Sequence, residues 1–155
     1  MITAERILFL RHVDLFSTVP VRALGRLARS AEEVVYPSGT TIFRRGDPSD
    51  SLFLIVEGEV RVHRDDVELN RLGPKGNLGE MSIVDGAPRS ASATAAVDCL
   101  LLRIRQTDVY ELLATHFEAT LAVVRHLSRR IREKEDAQFG GAQVDRGSSR
   151  KEDTR

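Results

Sequence analysis

From Glu33 onward the chain breaks into brief β-branched or aromatic runs, each closed by turn chemistry. The segment VVYPSGTTIFRRGDPSDSLFLIVEGEVRVHRDDVELNRLG is punctuated by Pro-Ser-Gly, Gly-Asp-Pro-Ser-Asp, Glu-Gly, Asp-Asp and Leu-Gly-Pro. Further on, SATAAVDCLLLRIR gives two more runs around a turn at Asp98. Gly, Pro, Asp and Ser at such points supply the backbone conformations that end a strand and reverse the chain. Strands of about four to seven residues at this spacing predict a sandwich or barrel.

Helical periodicity brackets this region. Ile7, Leu8, Leu10 and Val13, then Leu15 and Phe16, predict a short amphipathic helix ending in a turn near Asp14. After Pro20, Leu24, Leu27 and Ala28 share one helical face, with Arg22, Arg26 and Arg29 directed elsewhere. Thr107 is placed to N-cap a helix carrying Leu112 and Leu113. A longer helix is expected from about His116 to Gln138, with Phe117, Leu121, Val124, Leu127 or Ser128, and Ile131 along one side. The expected organisation is therefore N-terminal helices over 1–32, strands over 33–105, two C-terminal helices over 106–138 and a polar, disordered tail over 139–155.

At 155 residues the chain suits one domain. Lys plus Arg equals Asp plus Glu at 23 each, so there is no global attraction to nucleic acid, acidic lipid or acidic substrate, and any anion site must be local. ILFL and LFLIV fall far short of the roughly 20 apolar residues that span a bilayer, and no membrane contact by this chain is expected. The N-terminus lacks the features of a signal peptide. Cys99, the single cysteine, lies in an apolar run as a buried thiol, which suits a reducing cytoplasm.

The chemistry concentrates in GEMSIVDGAPRSASATA, Gly79 to Ala95. Gly79 lets a ligand or another backbone approach its amide closely. Glu80 to Val84 is long enough for one helical turn, whose free N-terminal amides favour an anion. Arg89 adds a permanent cation with a planar fork of donors that matches phosphate oxygens. Glu80 would repel a phosphate but would accept hydrogen bonds from sugar hydroxyls beside it. Together, guanidinium and carboxylate describe a sugar phosphate; the competing account of the pair is an ordinary surface ion pair.

The stretch resembles the phosphate-binding cassette of cyclic nucleotide-binding domains, as found in bacterial catabolite activator proteins, cyclic-nucleotide-gated channels and regulatory subunits of cyclic-nucleotide-dependent kinases. Gly79, Glu80, Met81, Ser82, Ile83 and Val84, a loop over Asp85 to Ala87, then Pro88, Arg89, Ser90 and Ala91 fit that cassette position by position. Upstream, the Pro-x-Gly turn, the Gly-Asp turn and the x-Gly-x-Val strand end are similar too, and the resemblance runs from Phe9 to Glu135. One departure precedes Gly79: the family commonly has an aromatic where this chain has Asn77, within Lys75, Gly76, Asn77, Leu78.

The resemblance implies a mainly β fold with flanking α: an eight-stranded, jelly-roll-like β-roll with N-terminal helices and C-terminal hinge and lid helices. It implies a sensor for a cyclic purine mononucleotide, cAMP or cGMP, without enzyme activity or a resident cofactor. Arg89, with Ser90, Ser82 and Met81, would hold the cyclic phosphate; Glu80, beside Gly79, would hold the ribose 2′-hydroxyl. Ser90, Arg125 and Arg129 are candidates near the base. The last helix would cover the base and report occupancy, and residues 117–131 offer a homodimer surface. Two contexts stay open: a stand-alone bacterial protein, or a regulatory piece of a larger channel, transporter or repeat protein.

Other readings lack their residues. A cupin-like metal site needs a His-x-His pair, yet no histidine lies between Gly39 and Gly58; His63 stands alone, and His12, His116 and His126 are far apart. Ser82 near Glu80 is the only nucleophile pair for a hydrolase, and the cassette accounts for both. REKEDAQFGGAQVDRGSSRKEDTR contains no helix-turn-helix for DNA, and the arginines at 125, 129, 130 and 132 are followed at once by acids. The alternative function is a degenerate module of the same fold used for protein contact, which predicts a broken cassette.

Overall fold

The computed structural model describes residues 1–148, with side chains through Phe139. Helices α1 (Thr3–Arg11) and α2 (Val21–Ser30), joined through a 3₁₀ turn at Asp14–Phe16, lead into β1 (Glu32–Tyr36), β2 (Thr41–Phe43), β3 (Ser51–Glu57), β4 (Val60–Arg64), β5 (Val67–Leu72) and β6 (Asn77–Leu78). A single-turn-scale helix, α3 (Glu80–Asp85), interrupts the strands before β7 (Ser92–Ala95) and β8 (Cys99–Arg105). Helices α4 (Gln106–Thr115) and α5 (Phe117–Ser148) close the described chain.

The eight strands form two antiparallel four-stranded sheets, ordered β1-β8-β3-β6 and β2-β7-β4-β5. This is a β-roll, with no closed barrel among the described residues. Strand alternation divides the core in two. Phe53 and Ile55 of β3, with Cys99 and Leu101 of β8 and Leu78 of β6, fill the roll interior against Val60, Ala93 and Ala95. Leu52, Leu54, Leu102 and Ile104 point the other way and pack under Leu10, Phe16, Leu24, Leu27, Val109, Leu112 and Val123 of the helices. That double burial is why SLFLIV reads as a continuous apolar run. At the β3–β4 turn Gly58 has φ +101°, and a Cβ there would lie 2.6 Å from the Asp98 carbonyl oxygen, so this turn requires glycine.

Three expectations for the helices change. Arg105 occupies the N-cap of α4 and Thr107 lies inside the first turn, so Thr107 makes no cap. The final helix runs ten residues past Gln138 to Ser148; the remainder of the expected tail, 149–155, lies outside the described residues. The stripe expected to pack either on the roll or on a second copy is not the face that packs on the roll here. Phe117, Val124 and Ile131 are exposed, and α5 instead buries Ala119, Ala122, Val123 and His126. Leu127 packs against that buried face as a partly buried neighbour.

Candidate functional site

The Gly-Asp turn after β2 grips the Pro-Arg segment through its backbone. Gly46 N–H donates to the Arg89 carbonyl at 2.8 Å, and Arg89 N–H donates to the Asp47 carbonyl at 2.9 Å. With its main chain fixed at two points, the Arg89 side chain passes inward and is only 4% exposed. Its Nη2 donates to the Ser51 carbonyl at 2.6 Å. The guanidinium carbon lies 4.2 Å from the centre of the Phe43 ring, a cation–π contact.

Nε and Nη1 of Arg89 are buried and have no partner among the described residues. Burial pulls the guanidinium pKa down from the ordinary arginine value, while Asp50 and Asp47 pull it back up. An arginine nevertheless keeps its charge in a protein, so the site holds a desolvated cation with uncommitted donors. Gly79 makes room for it. Its φ is +87°, and a Cβ built on it would collide with Arg89 Nη1. The position thus demands glycine twice over, for conformation and for space.

Gly79 is the N-cap of α3. The first amides of α3, at Glu80, Met81 and Ser82, have no carbonyl four residues back within the helix. Ser82 is buried, whereas Met81 and Ser90 are exposed. Cassette, β4–β5 hairpin and α5 together enclose a cleft of about 330 Å³, lined by Gly79, Glu80, Met81, Ser82, Arg89, Ser90 and Ala91, by Arg64 and Leu69, and by Arg130 and Lys134. The Glu80 side chain is 10% exposed and forms an ion pair with Arg130 of α5. All six cassette residues singled out in the sequence therefore line one cleft.

The helix arginines fall differently. Arg125 and Arg129 are both exposed, and neither lines this cleft. Arg130 is the residue that reaches the cassette. The signal that would have found it is the buried face of α5: Arg130 follows His126 by four residues, and Lys134 follows Arg130 by four. The hinge helix also touches the cassette, since Tyr110 Oη donates to the Ile83 carbonyl at 2.5 Å and accepts from Gln106 Nε2 at 2.6 Å.

Of the histidines, His63 is half-buried, with Nε2 2.8 Å from Thr94 Oγ1 and Nδ1 2.8 Å from the Asp65 carbonyl. Cys99 is buried and unpaired. No group of three His, Cys, Asp or Glu side chains placed to hold a metal occurs among the described residues. No helix among them is long and apolar enough to cross a membrane.

A two-sheet roll thus carries a buried arginine facing a cleft that α5 borders. The family profile of the cyclic nucleotide-binding domain matches residues 33–116, and the chain belongs to that family. It is 31% identical over 128 residues to a CRP-like cAMP-activated global transcriptional regulator of Mycobacterium tuberculosis, covering 79% of this chain and 57% of the regulator. It is 36% identical over 96 residues to a cyclic nucleotide-gated potassium channel of Rhizobium etli, covering 62% of this chain and 27% of the channel. Among solved structures, the N-terminal domain of a transcriptional regulator from Streptomyces coelicolor A3(2) aligns with a TM-score of 0.71 and 34% identity, over 83% of this chain and 93% of that one. The chain thus spans little more than half of the regulator and about a quarter of the channel.

Proposed function

We propose that this domain binds a cyclic purine mononucleotide, cAMP or cGMP, and reports its presence through α5. The observation that carries the reading is Arg89: buried, charged, and with two donors uncommitted, beside a glycine whose missing side chain makes room for the guanidinium. In this reading Arg89 and the amides at the start of α3, near Met81 and Ser82, take the cyclic phosphate, with Ser90 beside it. Glu80 takes the ribose 2′-hydroxyl. A carboxylate has acceptor sites enough for a hydroxyl and a guanidinium together, so a ligand on Glu80 also meets Arg130 and, through it, α5. The ligand shifts the helix only as far as it binds one position of α5 better than another.

The exposed side of α5 supports a second copy as partner. Phe117, Val124 and Ile131 recur every seven residues, with Leu121 and Ser128 between them, the spacing of a helix–helix seam. The role is regulatory and non-catalytic, in the cytoplasm, either alone or as part of a larger channel, transporter or repeat protein. Isothermal titration with cAMP and cGMP tests the reading. Arg89→Ala removes a charge-assisted phosphate contact of about 2 to 3 kcal/mol, so affinity is expected to fall roughly 30- to 150-fold with the fold retained. An unchanged affinity would reject the site, and silence of the parent toward both nucleotides would favour a protein-contact module.

A further inference from the structure

Helix α5 packs on the 3₁₀ turn at Asp14–Phe16 and covers the helix-side core with Ala119, Ala122 and Val123. One turn beyond Ala122 the next inward position is His126, a titratable group on an otherwise apolar face. It is 8% exposed, and its Nε2 is buried with no partner among the described residues. A neutral imidazole can leave only a lone pair at Nε2, whereas an imidazolium puts a charged N–H there with nothing to accept it. The charges around the ring come from three elements. Arg129 and Arg130 follow His126 on α5, while Asp14 on the 3₁₀ turn and Glu80 on α3 oppose them. Glu80 is already paired with Arg130. Lys75 and Glu133, one of each sign, line a cavity that His126 also borders.

We propose that His126 makes the seating of α5 proton-sensitive: the helix lies on the 3₁₀ turn while the imidazole is neutral and lifts away when the ring takes up a proton. Burial, and then Arg130 and Arg129, hold the His126 pKa below the ordinary histidine value, against the pull of Asp14 and Glu80. A lifted helix gives the ring back to water and restores its ordinary pKa, so the lifted state binds more protons than the seated one. Seating is therefore complete above about pH 6.5 and weakens as pH falls below it. Arg130 lies one turn beyond His126, so lifting also withdraws it from Glu80 and leaves that carboxylate free. The switch needs no nucleotide.

Two measurements on the nucleotide-free parent chain test the switch. Ring-proton NMR from about pH 8 to about pH 5 should show His126 titrating below the ordinary histidine value. Hydrogen exchange, corrected for intrinsic rates, should show protection in residues 119–131 falling by up to about tenfold between about pH 7.5 and about pH 5.5, while β3 and β8 keep theirs. In His126→Gln, which takes up no proton, α5 protection should stay constant over that range although His12, His63 and His116 remain. The NMR titration uses the unaltered chain and does not depend on how the variant folds. Titration of His126 at or above the ordinary value, constant α5 protection in the parent, a parallel loss in the strands, or a pH dependence that survives His126→Gln overturns the proposal. With no nucleotide present, each of those results leaves the proposed function standing, and a failure of cAMP and cGMP to bind leaves the switch standing.

Discussion

Arg89 and Arg130 line the same cleft but are held in opposite ways. Arg89 is anchored through its own backbone to the turn at Gly46 and Asp47, through Nη2 to Ser51, and against the face of Phe43. Arg130 projects from a long helix with its side chain 43% exposed, tied to the cassette through Glu80. In the proposed function, one arginine belongs to a preformed socket and the other to an adjustable wall. On that proposal the difference separates affinity from signalling. Substitutions in the socket should change whether ligand binds, and those on the helix should change what binding does.

The largest effect is expected where the socket has least tolerance. Gly79→Val places a β-branched residue at a positive φ, a strain of roughly 1–3 kcal/mol, and drives its side chain into Arg89. Thermal melting should show the destabilisation, and titration should show loss of measurable cyclic-nucleotide binding. If Gly79→Val binds like the parent, Arg89 does not need the space, and the socket is not preformed.

Next in size is the ribose contact. Glu80→Ala should weaken cAMP by about tenfold, and Glu80→Gln by less, because an amide oxygen still accepts one hydroxyl hydrogen bond. Titration with 2′-deoxy-cAMP sharpens the point: it should bind more weakly than cAMP to the parent and nearly as well as cAMP to Glu80→Ala. A ribose preference that survives Glu80→Ala would remove Glu80 from that role.

Ser90 is exposed at the cleft wall and should matter least. Ser90→Ala is expected to lower cGMP affinity by about 1 kcal/mol or less, through loss of an acceptor for the guanine 2-amino group, with cAMP affected less. A greater loss for cAMP would assign Ser90 to the phosphate alone.

The same contrast governs what the sequence disclosed. The cassette was legible because its requirements are local: a glycine at a left-handed position, free amides after it, and a Pro-Arg nine residues on. The roll was legible for a similar reason, since turn residues mark each strand end from Pro37 to Asp98. Helix α5 was not, because its sequence carries two apolar faces. Phe117, Val124 and Ile131 look like the better core stripe by size, yet the roll and the N-terminal helices accept the smaller Ala119, Ala122 and Val123. The expected base-side residues Arg125 and Arg129 do not line the cassette cleft, whereas Arg130 does. Asn77 stood out as a departure from the resemblance, but the burial of its amide nitrogen without a partner among the described residues is a three-dimensional fact that sequence alone does not carry.

The central claim is that the preformed socket and the adjustable helix respond to one ligand together. Hydrogen exchange with and without cAMP tests it most directly. Protection should rise in Gly79 through Ala91 and, in the same titration, in residues 117 to 131. Protection confined to the cassette, with α5 unchanged at saturating cAMP, would contradict the account.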